Sequence, residues 1–158
     1  MSKPIPDGFH TITPHLVVAD GGAAMDFYEK AFGARDCGRH FMPDGKSLMH
    51  GLMKLGDSFF MLAGEFPPHC LSPKSRGGTS VTMSLYVEDV DTLFDRAAKA
   101  GCKVIMPVMD QFWGDRYGVL EDPFGHSWSV ATHKHDYTPE QMAALAKEAF
   151  AKQSCGQS

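Results

Sequence analysis

The sequence lacks the features that mark several large classes of protein. It has no apolar run long enough to span a membrane, and its first residues contain no apolar segment typical of a signal peptide. Lysine and arginine are scattered and the formal net charge is −4, so a basic surface for nucleic acid is not expected. A glycine-rich cofactor loop is also missing. We predict a cytoplasmic protein that binds neither membranes nor nucleic acid.

Cysteine is scarce and widely spaced. The four cysteines form no C-x-x-C pair, which argues against a zinc knuckle or a redox motif, and we expect free thiols: Cys37, Cys70, Cys102 and Cys155. In contrast, methionine is plentiful, with ten residues, and hydrophobic residues make up 43% of the chain. At 158 residues the chain can bury a substantial core, either as one domain or as two small packed halves.

Residues 118–132 have the pattern of a strand, a tight turn and a second strand. Asp122, Pro123 and Gly125 supply the turn, because Pro fixes φ, Asp can accept from the backbone ahead and Gly adopts positive φ. In the second strand, small residues alternate with Trp128 and Val130. This strand is therefore predicted to have one packed face and one face with room for a ligand.

The same order of elements occurs twice along the chain. The first half predicts a strand at 12–18, a helix at 23–32 and strands at about 37–41, 47–55 and 58–62. The second half predicts a strand at 81–87, a helix at 90–98 and strands at 103–108, 113–121 and 127–132. Both helices follow an Asp N-cap, Asp20 or Asp89, and precede a Gly, Gly33 or Gly101. The prediction is two tandem βαβββ modules.

Equivalent residues recur at a nearly constant distance, which supports an internal repeat. Gly101 follows Gly33 by 68 residues, and Gly118 follows Gly51 by 67 residues. We therefore predict an α+β fold, in which two βαβββ modules form curved mixed sheets around a cleft. The boundaries are residues 9–63 for the first module, 64–79 for a Pro- and Gly-rich inter-module loop, 80–136 for the second module and 137–158 for a C-terminal helix and tail.

Several local motifs also resemble a known family. They are residues 24–33, 49–51 with 56–58, 113–118, and 122–126 followed by 131–133. Together with the repeat, they resemble the vicinal oxygen chelate superfamily of glyoxalases, bleomycin resistance proteins and extradiol dioxygenases, in particular its PhnB-like branch. The resemblance implies a cleft between the modules and a homodimer, which in this superfamily is often domain-swapped.

The resemblance also indicates where a metal enzyme of this superfamily carries its ligands. Those positions correspond here to Thr13, Thr82, Phe60 and Ser129, and none of these residues is a good metal ligand. The usual metal site, and with it glyoxalase I activity, is therefore not expected. A shifted set of His15, His50 and Glu65 remains an alternative, because two imidazoles and a carboxylate can hold a divalent metal.

Two functional hypotheses follow from these residues. The first is a protein that binds a small apolar or aromatic molecule in the cleft without a metal, through His15, His50, Trp113, Asp115, Arg116 and Ser129. Trp113 would supply an aromatic wall and Arg116 a guanidinium for a carboxylate or phosphonate, although a structural Asp115–Arg116 pair is equally consistent with the sequence. The second is a metal-dependent lyase or dioxygenase that uses the shifted set.

The remaining histidines have structural interpretations from sequence. His126 follows the turn glycine and is expected to support the turn. His133 and His135 are expected at a solvated strand end, although on one face they could also capture a metal ion.

Overall fold

The computed structural model describes residues 2–155, which form two modules joined by a short connecting segment. The first module contains β1 (His15–Val18), α1 (Gly21–Phe32), β2 (Arg35–Phe41), β3 (Leu48–Leu55) and β4 (Ser58–Gly64). A short helix, α2 (Pro73–Arg76), precedes the second module, which contains β5 (Thr82–Tyr86), α3 (Val90–Ala100), β6 (Lys103–Asp110), β7 (Asp115–Glu121) and β8 (Ser127–His133). The last helix is α4 (Pro139–Cys155).

The two sheets have the same topology. The strand order is β1-β4-β3-β2 in the first sheet and β5-β8-β7-β6 in the second. In each sheet the first strand pairs with the last in parallel, and the other neighbours are antiparallel. The predicted α+β class and the repeated βαβββ order are therefore confirmed. Among the described helices, none combines the length and apolar character that a membrane crossing needs.

The predicted capping residues begin and end the two repeated helices. The Asp20 carboxylate accepts from the Ala23 backbone N–H at 2.9 Å, and the Asp89 carboxylate accepts from Thr92 at 3.0 Å. At the other end of α1, Gly33 has φ of 71°, a left-handed conformation that strains most other residues. Local capping chemistry thus accounts for the helix boundaries in both modules.

One face of the first sheet packs against α1, and one face of the second sheet packs against α3. Gly51 and Gly118, which are equivalent in the repeat, lie where a helix comes closest to its sheet. A Cβ atom on Gly51 would lie 2.6 Å from Met25 Sδ of α1. The equivalent atom on Gly118 would lie 2.6 Å from the Phe94 ring of α3. Any larger residue would therefore have to displace a helix side chain, which explains why glycine recurs at this position of the repeat.

The predicted turn at residues 122–125 also joins the two modules. Asp122 accepts hydrogen bonds from the backbone N–H groups of Phe124 and His126, at 2.9 and 3.0 Å. Its second oxygen accepts from the Tyr28 hydroxyl at 2.7 Å and from Trp128 Nε1 at 2.8 Å. Because Tyr28 belongs to α1, this carboxylate connects the first module to the second within one continuous core.

Trp128 lies at the centre of this junction and is fully buried. Its ring centroid is 4.6 Å from that of Phe32, 5.3 Å from Tyr28 and 6.2 Å from Phe60. All three neighbours come from the first module. The packed face predicted for this strand is therefore confirmed, with the further finding that Trp128 packs beneath α1 of the other module.

Two segments outside the repeat add detail to the prediction. The Pro- and Gly-rich stretch at 64–79, in which the sequence predicted no element, contains the single turn of α2, where Ser72 accepts from the Ser75 backbone N–H. At the start of the predicted C-terminal helix, the Thr138 backbone N–H donates to the Gln141 side chain at 2.9 Å, and the Gln141 backbone N–H donates to the Thr138 hydroxyl at 3.3 Å. The helix approaches the second module where Phe150 and Phe112 lie 5.9 Å apart.

Candidate functional site

The faces of the sheets that point away from α1 and α3, here called the open faces, are the candidate binding surfaces. In the second sheet, the open face has small residues along its centre, where the Ser129 hydroxyl donates to Ser84 Oγ at 2.9 Å. One row further along the sheet, Tyr86 and Tyr117 flank Ala131, and Tyr86 remains 68% exposed. The open face therefore has a floor of small residues between two aromatic side chains, as the alternation in residues 127–132 predicted.

Asp115 is the most highly connected polar residue of this open face. One carboxylate oxygen accepts from the Tyr86 hydroxyl at 2.8 Å and from Trp113 Nε1 at 3.1 Å. The other oxygen lies 2.7 Å from His133 Nδ1. Asp115 itself is only 5% exposed. The carboxylate thus holds three side chains, contributed by β5, β8 and the loop before β7, in fixed positions.

These hydrogen bonds determine the charge state of the cluster. Burial alone would raise the pKa of Asp115, but the hydrogen bonds from His133, Tyr86 and Trp113 outweigh it and lower that pKa. His133 Nε2 lies 3.0 Å from an oxygen of Asp136, and the hydrogen bonds to Asp115 and then Asp136 raise the pKa of His133. The cluster therefore favours an imidazolium between two carboxylates.

Arg116 lies on the opposite face of β7 from Asp115. Its guanidinium makes two hydrogen bonds of 2.7 Å to Asp91 at the start of α3 and one of 3.2 Å to Asp110. The structural Asp115–Arg116 pair, which the sequence left open as an alternative, does not occur, because neighbouring residues of a strand point to opposite faces. Arg116 connects α3 to β6 and β7, and it does not join the cluster formed by Asp115, His133, Tyr86 and Trp113.

In the first sheet, histidines from three strands share the open face. His15 and His50 have ring centroids 6.2 Å apart, and His40 lies 6.4 Å from His50 and directly opposite it in the strand pairing. Burial, and then the proximity of His50, lowers the pKa of His15. The structure thus brings together two of the residues predicted from sequence, with a third histidine that the sequence did not single out.

Glu65, the third member of the predicted metal set, has another partner. Its carboxylate accepts from the Ser72 backbone N–H at 2.7 Å, and hydrogen bonds from Ser75 and Ser72 lower its pKa. Within residues 2–155, no group of three or more His, Cys, Asp or Glu side chains is arranged to hold a metal ion. His15, His50 and Glu65 therefore do not fit a three-ligand metal centre in this arrangement.

The strand register changes one of the ligand positions that the resemblance implied, that of Phe60. Ser129 pairs with Ser84, and the corresponding pair of the first sheet is His15 with Met61. The first-module counterpart of Ser129 is therefore Met61 and not Phe60, which is 3% exposed and faces the core. The two modules differ by one residue in the turn before the last strand, which the constant offset did not reveal.

Two cavities are lined by residues of both modules, near β1 and β5. One, of about 500 Å³, lies between the N-terminal segment, the β3–β4 turn and β5, and its apolar walls include Phe59, Phe60 and Trp128. The other, of about 430 Å³, includes His15 and His126 in its lining. His126 Nε2 lies 3.0 Å from the Val17 carbonyl oxygen, which holds β1 against the predicted turn. Of the six predicted ligand-binding residues, only His15 lines either cavity.

Sequence reasoning did not place Tyr86 and His133 in a cluster with Asp115. Tyr86 was placed only within a strand, and His133 was interpreted as part of a solvated strand end. The cluster would have been found from the register between β7 and β8, because this register places Asp115 directly opposite His133. That register depends on the length of the turn and on packing, so the sequence alone did not identify the pair.

Comparison with known proteins gives a family for this architecture. A family model described as the glyoxalase/bleomycin resistance protein/dioxygenase superfamily matches residues 8–130. The chain belongs to this superfamily. An uncharacterized protein of Mycobacterium tuberculosis is 44% identical over 137 residues, covering 84% of this chain and 80% of the relative. An uncharacterized Arabidopsis thaliana protein is 32% identical over 127 residues, covering 75% of each chain.

Several solved structures share the fold of the chain. TioX from Micromonospora is 26% identical with a TM-score of 0.62, and the match covers 82% of this chain and all of TioX. The PhnB protein from Bacillus cereus has a TM-score of 0.61, covering 78% of this chain and 99% of that protein. At 19% identity, this second likeness concerns the fold alone. The resemblance to the vicinal oxygen chelate superfamily is therefore confirmed, whereas superfamily membership does not specify a ligand or reaction.

Proposed function

We propose that this member of the superfamily binds a small aromatic molecule on the open faces of its sheets, without a resident metal ion. The observation that carries the proposal is the second open face, where Ala131 lies between Tyr86 and Tyr117, Ser129 and Ser84 form the next row, and Trp113 contacts Tyr117. The exposed ring of Tyr86, together with Tyr117 and Trp113, provides stacking surfaces for a planar ligand above the small residues of β8. Trp113, Asp115 and Ser129 of the sequence prediction belong to this surface.

The first open face supplies the opposite wall of the cleft. Each sheet has only one open face, so a single sheet forms only one wall of a cleft. On the second open face, Met109 is 50% exposed and pairs with Tyr117. In a homodimer, the first sheet of one protomer can oppose the second sheet of its partner, so that His15 and His50 face Trp113 and Asp115 across the ligand. In this arrangement each cleft is built from one module of each protomer, which is how we interpret the predicted domain-swapped dimer.

The oligomeric state provides the first test of this arrangement. Sedimentation equilibrium at micromolar concentration is expected to give twice the chain mass of 17.3 kDa. Replacing Tyr86 and Met109 with serine removes apolar surface from the shared wall and is expected to shift the mass towards that of the monomer. A wild-type protein that remains monomeric at about 100 μM would contradict the dimeric cleft.

Tryptophan fluorescence tests binding directly, because the chain has only two tryptophans in different environments. Trp113 is half-buried beside the open face, whereas Trp128 is fully buried in the core. An aromatic ligand is expected to quench Trp113 saturably, and addition of a chelator should leave the quenching unchanged. The matched control is Trp113→Phe, in which the remaining emission of Trp128 should not respond. Absence of saturable quenching across a broad library of aromatic compounds would contradict the proposal.

Metal analysis separates this proposal from a metal-dependent lyase or dioxygenase. The ring centroids of His15 and His50 lie 6.2 Å apart, so both imidazoles could bind the same metal ion, and this observation favours the metal-dependent enzyme. We expect less than about a tenth of an equivalent of divalent metal in protein purified without an affinity tag, because Glu65 is held by Ser72. The metal content should not change in His15→Ala. A stoichiometric metal that is lost in His15→Ala would favour the enzyme.

A further inference from the structure

The chain of contacts Asp115–His133–Asp136 indicates which chemical class of ligand the open face prefers. We propose that His133 binds the carboxylate of a small aromatic acid at the rim of the second open face, where Asp136 now contacts the imidazole. This inference rests on the proposed function, because it names the class of molecule that the same surface would bind.

The inner partner of His133 is fixed. Asp115 is 5% exposed, and its two oxygens receive the hydrogen bonds of Tyr86, Trp113 and His133 already described. A buried carboxylate with three donors cannot rotate without leaving donors unpaired. Asp115 therefore orients the His133 ring, keeps a proton on Nδ1 and directs Nε2 away from the strand. It acts as a positioning residue.

The outer partner, in contrast, is replaceable. The Asp136 side chain is fully exposed, and it lies beyond the end of β8 with no described ion-pair partner except His133. The His133 side chain is 50% exposed, so a molecule from solvent can reach Nε2. Because an exposed ion pair contributes little free energy, a ligand carboxylate with additional contacts can displace Asp136. The 3.0 Å contact of Asp136 thus marks the place that the ligand carboxylate would take.

The neighbouring residues favour an aromatic body behind that carboxylate. Trp113 donates to the same Asp115 that holds His133, and it lies edge-to-face with Tyr117 at 5.5 Å. Tyr117 pairs directly with Ala131, the small residue two positions before His133 on the same face of β8. A planar ring can therefore stack against the exposed side of this Trp113–Tyr117 pair while its carboxylate contacts the imidazole.

The charges around His133 determine the expected pH dependence. Asp115 from β7 and Asp136 from the following segment are the ionised groups that contact it, and Tyr86 from β5 contacts it through Asp115. The adjacent cation, Lys134, acts instead on Asp91 of α3. Since both carboxylates raise the pKa of His133, the imidazolium persists above the ordinary value of 6.5. Carboxylate binding should be constant below that pH for as long as the ligand carboxyl stays ionised, and it should fall as pH rises through the raised pKa of His133.

The test compares benzoate with benzamide, a neutral molecule of nearly the same shape. At about pH 6, nuclear magnetic resonance of the His133 ring and Trp113 fluorescence are expected to show benzoate binding about tenfold more tightly, because charge-assisted hydrogen bonds are the stronger ones. In His133→Gln the ratio of the two affinities should fall to about one. In Asp136→Asn it should rise above the wild-type ratio, because the competing carboxylate has been removed.

The matched control is Lys134→Gln, which removes the neighbouring positive charge and should leave the ratio unchanged. Equal binding of benzoate and benzamide to the wild type would overturn the inference but leave the proposed function intact. A weaker benzoate preference in Asp136→Asn, or an unchanged one in His133→Gln, would overturn it as well. If neither these two probes nor any other aromatic compound binds, the proposed function fails together with the inference.

Discussion

Replacing Asp122 with alanine is expected to lower the free energy of unfolding by about 3–5 kcal/mol, the cost typical of removing one partner from a buried charged network. The carboxylate is 3% exposed and accepts from Tyr28, Trp128 and two backbone N–H groups of the turn. Its loss leaves the Tyr28 hydroxyl and the indole N–H buried without partners. Urea unfolding followed by circular dichroism, at fixed protein concentration, measures the change.

The first module contains a matched control for this substitution. Asp44 also accepts from two backbone N–H groups of a tight turn, those of Lys46 and Ser47, but it is exposed and contacts no residue of the other module. Asp44→Ala should therefore shift the urea midpoint much less than Asp122→Ala. Equal shifts for the two variants would show that the contacts between modules contribute nothing beyond the turn itself.

The second large effect is expected at Trp128. Replacing this fully buried indole with alanine removes the contacts with Phe32, Tyr28 and Phe60 and leaves a cavity between the modules. Substitutions of this kind cost about 3–5 kcal/mol. For a domain of this size, such a loss corresponds to a decrease in Tm of roughly 6–20 °C, measurable by differential scanning calorimetry.

Two further variants separate packing from hydrogen bonding at this position. Trp128→Phe keeps an aromatic ring but removes the N–H that donates to Asp122, so its destabilisation should be smaller than that of Trp128→Ala. Trp113→Ala, at the half-buried tryptophan, should destabilise least because less apolar area is lost from the interior. A Trp113→Ala variant as unstable as Trp128→Ala would contradict the assignment of the core.

The proposed binding function and these stability predictions concern different faces of the same sheets. The face that packs against α1 and α3 contains Trp128 and the contacts of Asp122, whereas the open face contains His133 and Asp115. Variants of His133 or Asp136 should therefore change ligand preference with little effect on the core. This separation makes it possible to test binding in a folded protein.

Much of the fold was predictable because its signals are local. Asp20 and Gly33 determine the start and end of α1 through one side-chain hydrogen bond and one left-handed residue, and Asp89 has the same role at the start of α3. The alternation in residues 127–132 similarly distinguishes a packed face from an open one. Each of these signals involves residues close together in sequence, so no tertiary information is required.

The site was less predictable because it depends on register. Asp115 and Arg116 were both predicted to bind the ligand, but these adjacent residues point to opposite faces of β7, and only Asp115 lies on the open face. Met61, instead of Phe60, corresponds to Ser129 because a one-residue difference in a turn moves every following side chain to the other face. Errors of one residue are harmless for a fold prediction but decisive for a binding site.

By itself, the sequence determined the two βαβββ modules, the capping of their helices and the small-residue face of the last strand, because these follow from local conformational preferences and hydrophobic periodicity. Only the tertiary structure decided that Tyr28 reaches Asp122 and that Asp115 holds His133. Those contacts join residues 94 and 18 positions apart, and they depend on how helices and strands pack. The physical reason is that packing and register, unlike capping, are properties of the whole chain.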